Sequence, residues 1–109
     1  MRRVARHTAD VAIDETFDLG SGPGQIEEMR IHLSAASATT EDLTVTLVSA
    51  AGAVYNVLLF SQDMDTVQDL HWQPTRPINT FRGDQVQVEW GNTNGRVYGL
   101  ELVWSGMGV

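Results

Sequence analysis

Residues 84–104 read DQVQVEWGNTNGRVYGLELVW, and the fold turns on how they pair. Val86, Val88 and Trp90 alternate with Gln85, Gln87 and Glu89, the period-2 signature of a strand with one buried face. Beyond GNTNG, Tyr98, Leu100, Leu102 and Trp104 alternate with Val97, Gly99, Glu101 and Val103. A two-residue Asn94-Gly95 turn would set Val88 against Glu101 and point the two apolar rows in opposite directions. A three-residue loop, Thr93-Asn94-Gly95, sets Trp90 against Tyr98, Val88 against Leu100 and Val86 against Leu102. A one-residue slip reverses every side chain, so the buried face favours the three-residue hairpin, with Gly95 left-handed in a bulge.

The same logic extends to residues 43–60. Leu43, Val45 and Leu47 alternate before Ala50-Ala51-Gly52, and AVYNVLLF follows. A three-residue loop pairs Leu47 with Tyr55, Val45 with Val57 and Leu43 with Leu59. The opposite face then gathers Thr44, Thr46, Asn56 and Leu58, and is apolar enough to want a cover. Earlier, Val11, Ile13, Phe17 and Leu19 form a row interrupted by Glu15, which suggests a bulge or an edge strand protected by an inward charge. Met29, Ile31 and Leu33 share a face, with Arg30 and His32 opposite. Short strands are expected at 67–73 and 78–81, with Pro74 and Pro77 breaking the ladder between them.

These segments predict an all-β chain, a single antiparallel β-sandwich of about eight strands, jelly-roll-like, with a longer-loop immunoglobulin-like sandwich as the alternative. At 109 residues the chain is one domain, large enough to bury roughly two-thirds of its unfolded surface. Residues 1–9, MRRVARHTA, hold Arg2, Arg3, Arg6 and His7 without an acid, and are expected as a basic N-terminal arm preceding a sandwich domain at 10–109. The whole chain is acidic, at a formal net charge of −7, and has no lysine. That balance argues against a nucleic-acid partner. No apolar run approaches the ~18 residues of a membrane span, and the N-terminus lacks the apolar stretch of a signal peptide. There are no cysteines, hence no disulfide or thiolate site.

Chemistry-bearing patterns are few. Asp63, Asp65 and Asp69 could offer oxygens to calcium, but Val67 and Gln68 stand where an EF-hand needs other residues, so a solvated acidic loop is expected and no metal site is assigned. GSGPG at 20–24 precedes a strand and has no lysine, unlike a phosphate loop. Arg82-Gly83-Asp84 spells the integrin tripeptide but is ordinary turn material. Adjacent pairs such as Glu27-Glu28 and Glu41-Asp42 should point to opposite faces of a strand, which excludes an acid/base pair. No histidine or serine sits in a nucleophile elbow or beside a triad partner. No enzyme activity and no cofactor are expected. Trp90, Tyr98 and Trp104 fall on core rows; Trp72 suits either core or interface.

The stretch from Met29 through Trp104 resembles small β-sandwich proteins found among the virion genes of tailed double-stranded DNA bacteriophages. The resemblance lies in MRIHLSAASATTEDLTVTL, AGAVYNVLLFSQDM and GDQVQVEWGNTNGRVYGLEL. It implies a head decoration or cement protein, made in the host cytoplasm and carried on the outer surface of the particle, with the major capsid protein or other virion proteins as partners. A homotrimer is the expected assembly. Partner docking is expected at Arg2, Arg3 and Arg6, and on the face of Thr44, Thr46, Asn56 and Leu58. The alternative is a carbohydrate- or receptor-binding module of a spike or tail fibre, which would need exposed tryptophans.

Overall fold

The computed structural model describes residues 2–20 and 22–106. Met1 of the expected arm, Ser21 of the GSGPG loop and residues 107–109 of the expected domain lie outside the described residues. Among the described residues nine strands follow in order: β1 (Arg2–Ala9), β2 (Ile13–Asp18), β3 (Gly24–Leu33), β4 (Asp42–Val48), β5 (Val57–Asp63), β6 (Asp69–Trp72), β7 (Ile78–Thr80), β8 (Gln85–Trp90) and β9 (Tyr98–Gly106). A short 3₁₀ turn, Ala53–Tyr55, precedes β5. One sheet runs β1-β9-β3-β6, with β7 beside the start of β3; the other runs β2-β8-β4-β5. With β7 set aside, this is the strand order of a jelly roll: two interlocked four-stranded sheets.

The segment 84–104 keeps its faces and loses its pairing. Val86, Val88, Trp90, Tyr98, Leu100, Leu102 and Trp104 are all buried, as the alternation requires. Yet β8 pairs with β2 and β4, while β9 pairs with β1 and β3. Residues 91–97 are therefore an arch between sheets and not a hairpin within one. The two apolar rows meet across the core. Alternation reports which side of its strand a residue occupies, and that side is inward in either topology.

Asn92 shapes the arch. It is 4% exposed and sits at φ +46°, a left-handed conformation asparagine tolerates. Its Nδ2 donates to the carbonyls of Val11 and Arg96, both at 3.0 Å, and its Oδ1 accepts the Arg96 N–H at 2.9 Å. Gly95, at φ +63°, is left-handed as expected, but in a turn closed by its own N–H on the Asn92 carbonyl.

The second hairpin is real, in another register. Leu47 faces Val57, Thr46 faces Leu58, and after a bulge Val45 faces Phe60 and Leu43 faces Gln62. The 3₁₀ turn takes up residues 53–55, so Tyr55 lies outside the ladder.

Residues 2–9 are likewise no separate arm. They pair along their whole length with β9, from Arg2↔Ser105 to Ala9↔Tyr98. Ala5 and Ala9 pack on the core. The expected strand in 10–19 becomes β2, an edge strand joined only to β8, with Glu15 partly turned inward toward His7 at 3.3 Å. That is the protected-edge option.

Candidate interaction surfaces

The outer face of the β9 sheet carries a row of charged and ionisable side chains. Arg6, Glu101, Arg30 and His71 follow one another across β1, β9, β3 and β6. Arg6 Nε lies 2.7 Å and Arg30 Nη2 3.1 Å from the Glu101 carboxylate. His71 Nε2 is 2.7 Å from Glu28, and His32 bonds Asp69. Arg2 reaches Glu27 at 3.0 Å. A register break between Ile26 and Glu28 explains how both acids can take part: Ile26 and Met29 are buried, and the bulge between them turns Glu27 and Glu28 outward together. The bulge thus overturns the expectation that these two point to opposite faces. The hydrogen bond with His71 holds the Glu28 carboxyl below its ordinary range, against partial burial and with help from Arg30. The Arg2 guanidinium is pushed up, first by its hydrogen bond to Glu27.

The outer face of the β8 sheet differs. None of β2, β4, β5 and β8 contains arginine or histidine, whereas Asp14, Asp18, Asp42 and Glu89 are exposed along them. At one end of this sheet lies an apolar patch. Val54, Tyr55, Val57 and Leu58 are all well exposed, Tyr55 at 62% and Leu58 at 59%. Thr44 and Thr46 are half-buried beside it, and Thr46 pairs with Leu58. Asn56 joins through its side chain, whose Oδ1 accepts the Ser49 N–H at 2.9 Å and fixes the turn carrying Tyr55. The structure thus brings Thr44, Thr46, Asn56 and Leu58 together, and places Arg2, Arg3 and Arg6 on a strand of the other sheet. The sequence signal for this patch was the unusually apolar run AVYNVLLF, which also set Val54 against Val48 on this face; Tyr55 escaped because the 3₁₀ turn was not foreseen.

The remaining candidates resolve plainly. Asp84 of the Arg-Gly-Asp turn is buried, accepting from Ala50 N at 3.0 Å and Phe81 N at 2.9 Å. Asp69 bonds His32, while Asp63 accepts the Asp65 N–H within its own loop. No group of three histidine or acidic side chains suited to a metal occurs among the described residues. Trp90 and Trp104 are core residues, and the Trp104 indole donates to the Leu19 carbonyl. Trp72 stacks on Phe60, centroids 5.4 Å apart, closing the β5–β6 flank. Neither buried tryptophan is available for sugar stacking.

No family model and no curated protein matches the chain. Among solved structures, it is similar to a chain in the acidic stable capsid structure of Helicobacter pylori bacteriophage KHP30. There the identity is 12% and the TM-score 0.49, over 95% of this chain and 92% of that one. It is also similar to a chain in the structure of infectious bursal disease virus Gx strain, at 14% identity and TM-score 0.45, where it covers 98% of itself and 33% of the other chain. Likeness at these values is loose, and the chain's own surfaces carry its functional reading.

Proposed function

We propose that the protein is a structural virion component, a decoration or cement protein that binds the outer surface of a phage head. Its action is associative, without a catalytic step. The observation that carries this is the Val54–Leu58 patch beside a purely acidic sheet face. Apolar side chains grouped on a surface and rimmed by polar ones mark an interaction site. The acids farther along the same face, Asp14, Asp42 and Glu89, favour a partner with basic groups, which electrostatic complementarity would orient. The sequence resemblance to virion accessory sandwiches supplies the setting. On this reading each copy bridges neighbouring capsid subunits and adds interface area that resists internal pressure. The test is addition of purified protein to undecorated heads, with copy number read by mass spectrometry. Hundreds of copies per particle are expected for shell decoration. A handful would place it in a tail or spike, and none would reject the reading. Tyr55→Ser with Leu58→Ser should lower occupancy while leaving the fold intact. A glycan array, with and without calcium, addresses the carbohydrate-binding alternative.

A further inference from the structure

We propose that copies of this chain join head to tail, the free edge of β5 in one copy adding antiparallel to the free edge of β1 in the next. This rests on the associative role proposed for the protein and deepens it by naming the partner surface.

The sandwich has four flanks, and three are guarded against stray pairing. β2 carries Asp14, Glu15 and Asp18, with Glu15 directed inward. β6 and β7 have only four and three residues. β1 carries Arg2, Arg3 and Arg6. Charge, inward acids and short length are the devices that blunt an edge. β5 is the least guarded: its one charge is the terminal Asp63 and its one interruption the bulge at Leu59. It runs for seven residues as VLLFSQD, has no proline, has no charge before Asp63, and pairs only with β4. An edge this open is a template for strand addition.

Charge selects the strand that fits. Among the described residues, β1 is the one strand with several cations and no acid. At the end of β5, Asp63 stands beside Asp42 in register. Antiparallel addition brings these acids to Arg2, whereas parallel addition would bring them to Thr8. Arg2 gives Nη2 to Glu27 and keeps other N–H donors for a second carboxylate. Facing is consistent as well. Asp63, Ser61 and Leu58 lie on the outer side with Asp42, Thr44 and Thr46, and Arg2, Val4 and Arg6 lie on the outer side of β1. Asp63 then opposes Arg2, Ser61 opposes Val4, and past the bulge at Leu59, Leu58 comes against Arg6. Beyond Thr8, Gly99 in β9 leaves open ground: a Cβ there would meet nothing within 4 Å. This shallow cleft is lined by Arg6, Thr8, His32 and Glu101. Because β1 and β5 belong to different sheets at opposite flanks, the contact is heterologous and builds rings or open chains.

Sedimentation velocity on the full chain, without particles, tests this. Wild type should associate at micromolar concentration, more weakly at high salt. Leu58→Lys should raise the dissociation constant by at least about tenfold. Arg2→Asp and Asp63→Arg should each raise it about fivefold, and their combination should return it to near the wild-type value. Unchanged circular dichroism shows that each variant folds. A wild type still monomeric at about 1 mM, an unaffected Leu58→Lys, or no rescue in the double variant overturns the proposal. Head binding by a strictly monomeric chain would leave the decoration reading standing without this contact; association without head binding would do the reverse.

Discussion

Asn92 is where the arch can be tested. Its side chain makes three hydrogen bonds, two as donor and one as acceptor, to the backbone of Val11 and Arg96. Substitution by glycine keeps the left-handed φ free of strain and removes only those bonds. A net ~1 kcal/mol for each bond, in a site closed to solvent, gives a loss of about 3 kcal/mol. Alanine adds the left-handed strain, about 1 kcal/mol more. Aspartate is the sharper probe: it can still accept from Arg96 N but faces two carbonyls with a carboxylate, so it should cost at least as much as glycine. Urea unfolding should show lowered midpoints at constant m-value, and Tm should fall by about 10 °C for Asn92→Gly. If all three variants stay within about 0.5 kcal/mol of wild type, the ordinary range for surface substitutions, Asn92 does not hold the arch and its three bonds contribute nothing net.

Three other outcomes follow from single sites. Tyr98 has a buried hydroxyl with no hydrogen-bond partner among the described residues, and burial raises its pKa; Tyr98→Phe should therefore be neutral or stabilise by about 1 kcal/mol in urea melts, and clear destabilisation would reveal a partner. A Cβ on Gly24 would lie 2.3 Å from the Ser105 carbonyl oxygen, which is backbone, whereas one on Gly91 would meet the movable end of Glu41 at 2.1 Å; Gly24→Ala should cost about 2–3 kcal/mol and Gly91→Ala less, its loss being the two bonds that Thr93 donates to the Glu41 carboxylate. Glu28 has a lowered pKa in the folded chain, so its contribution is present above the ordinary carboxylate value and lost as pH falls through the lower folded value. The Tm difference between wild type and Glu28→Gln should thus shrink as pH falls from 6 to about 3; a constant difference would show that the carboxylate's charge is not the cause.

What the sequence made legible was sidedness. The seven alternating apolar residues of 84–104 were placed correctly, because period 2 is a local property of a strand, although Val103, set on the opposite row, is buried too. Partner strands were not legible, because the same rows suit a hairpin and an arch. The expected jelly roll already carried the answer, since its last two strands lie in different sheets. The Asn-Gly turn rule is local and pulled the other way. β1 was hidden by composition: its inward positions are Arg3, Ala5, His7 and Ala9, too small or polar to announce a buried face. The β4–β5 hairpin was found but misregistered, because a 3₁₀ turn shortens the strand from its start. In the candidate surfaces, Thr44, Thr46 and Leu58 were legible from alternation. The pairing of Glu27 and Glu28 on one side was not, since a bulge leaves no clear mark in composition.

The placement of charge changes which surface is the better candidate for binding. Basic residues at 2–6 suggested a free arm reaching for an acidic neighbour. In the fold, Arg2 and Arg6 already meet Glu27 and Glu101, and exposed pairs of this kind contribute only about 0–1 kcal/mol. They hold β1 to its sheet weakly and leave room for a further carboxylate. The β8 sheet has no such internal balance. Its acids have no basic residue on their own four strands, and the face they share carries an apolar patch, Val54 to Leu58, at its other end. A partner must therefore bring the cations. Removing residues 2–7 would strip an edge strand from the core and unsettle Ala5 and its neighbours, so lost binding in such a truncation would not identify the arginines as contacts. Single charge reversals at exposed Arg2 or Asp63 leave the core untouched, and only those separate a docking role from a structural one.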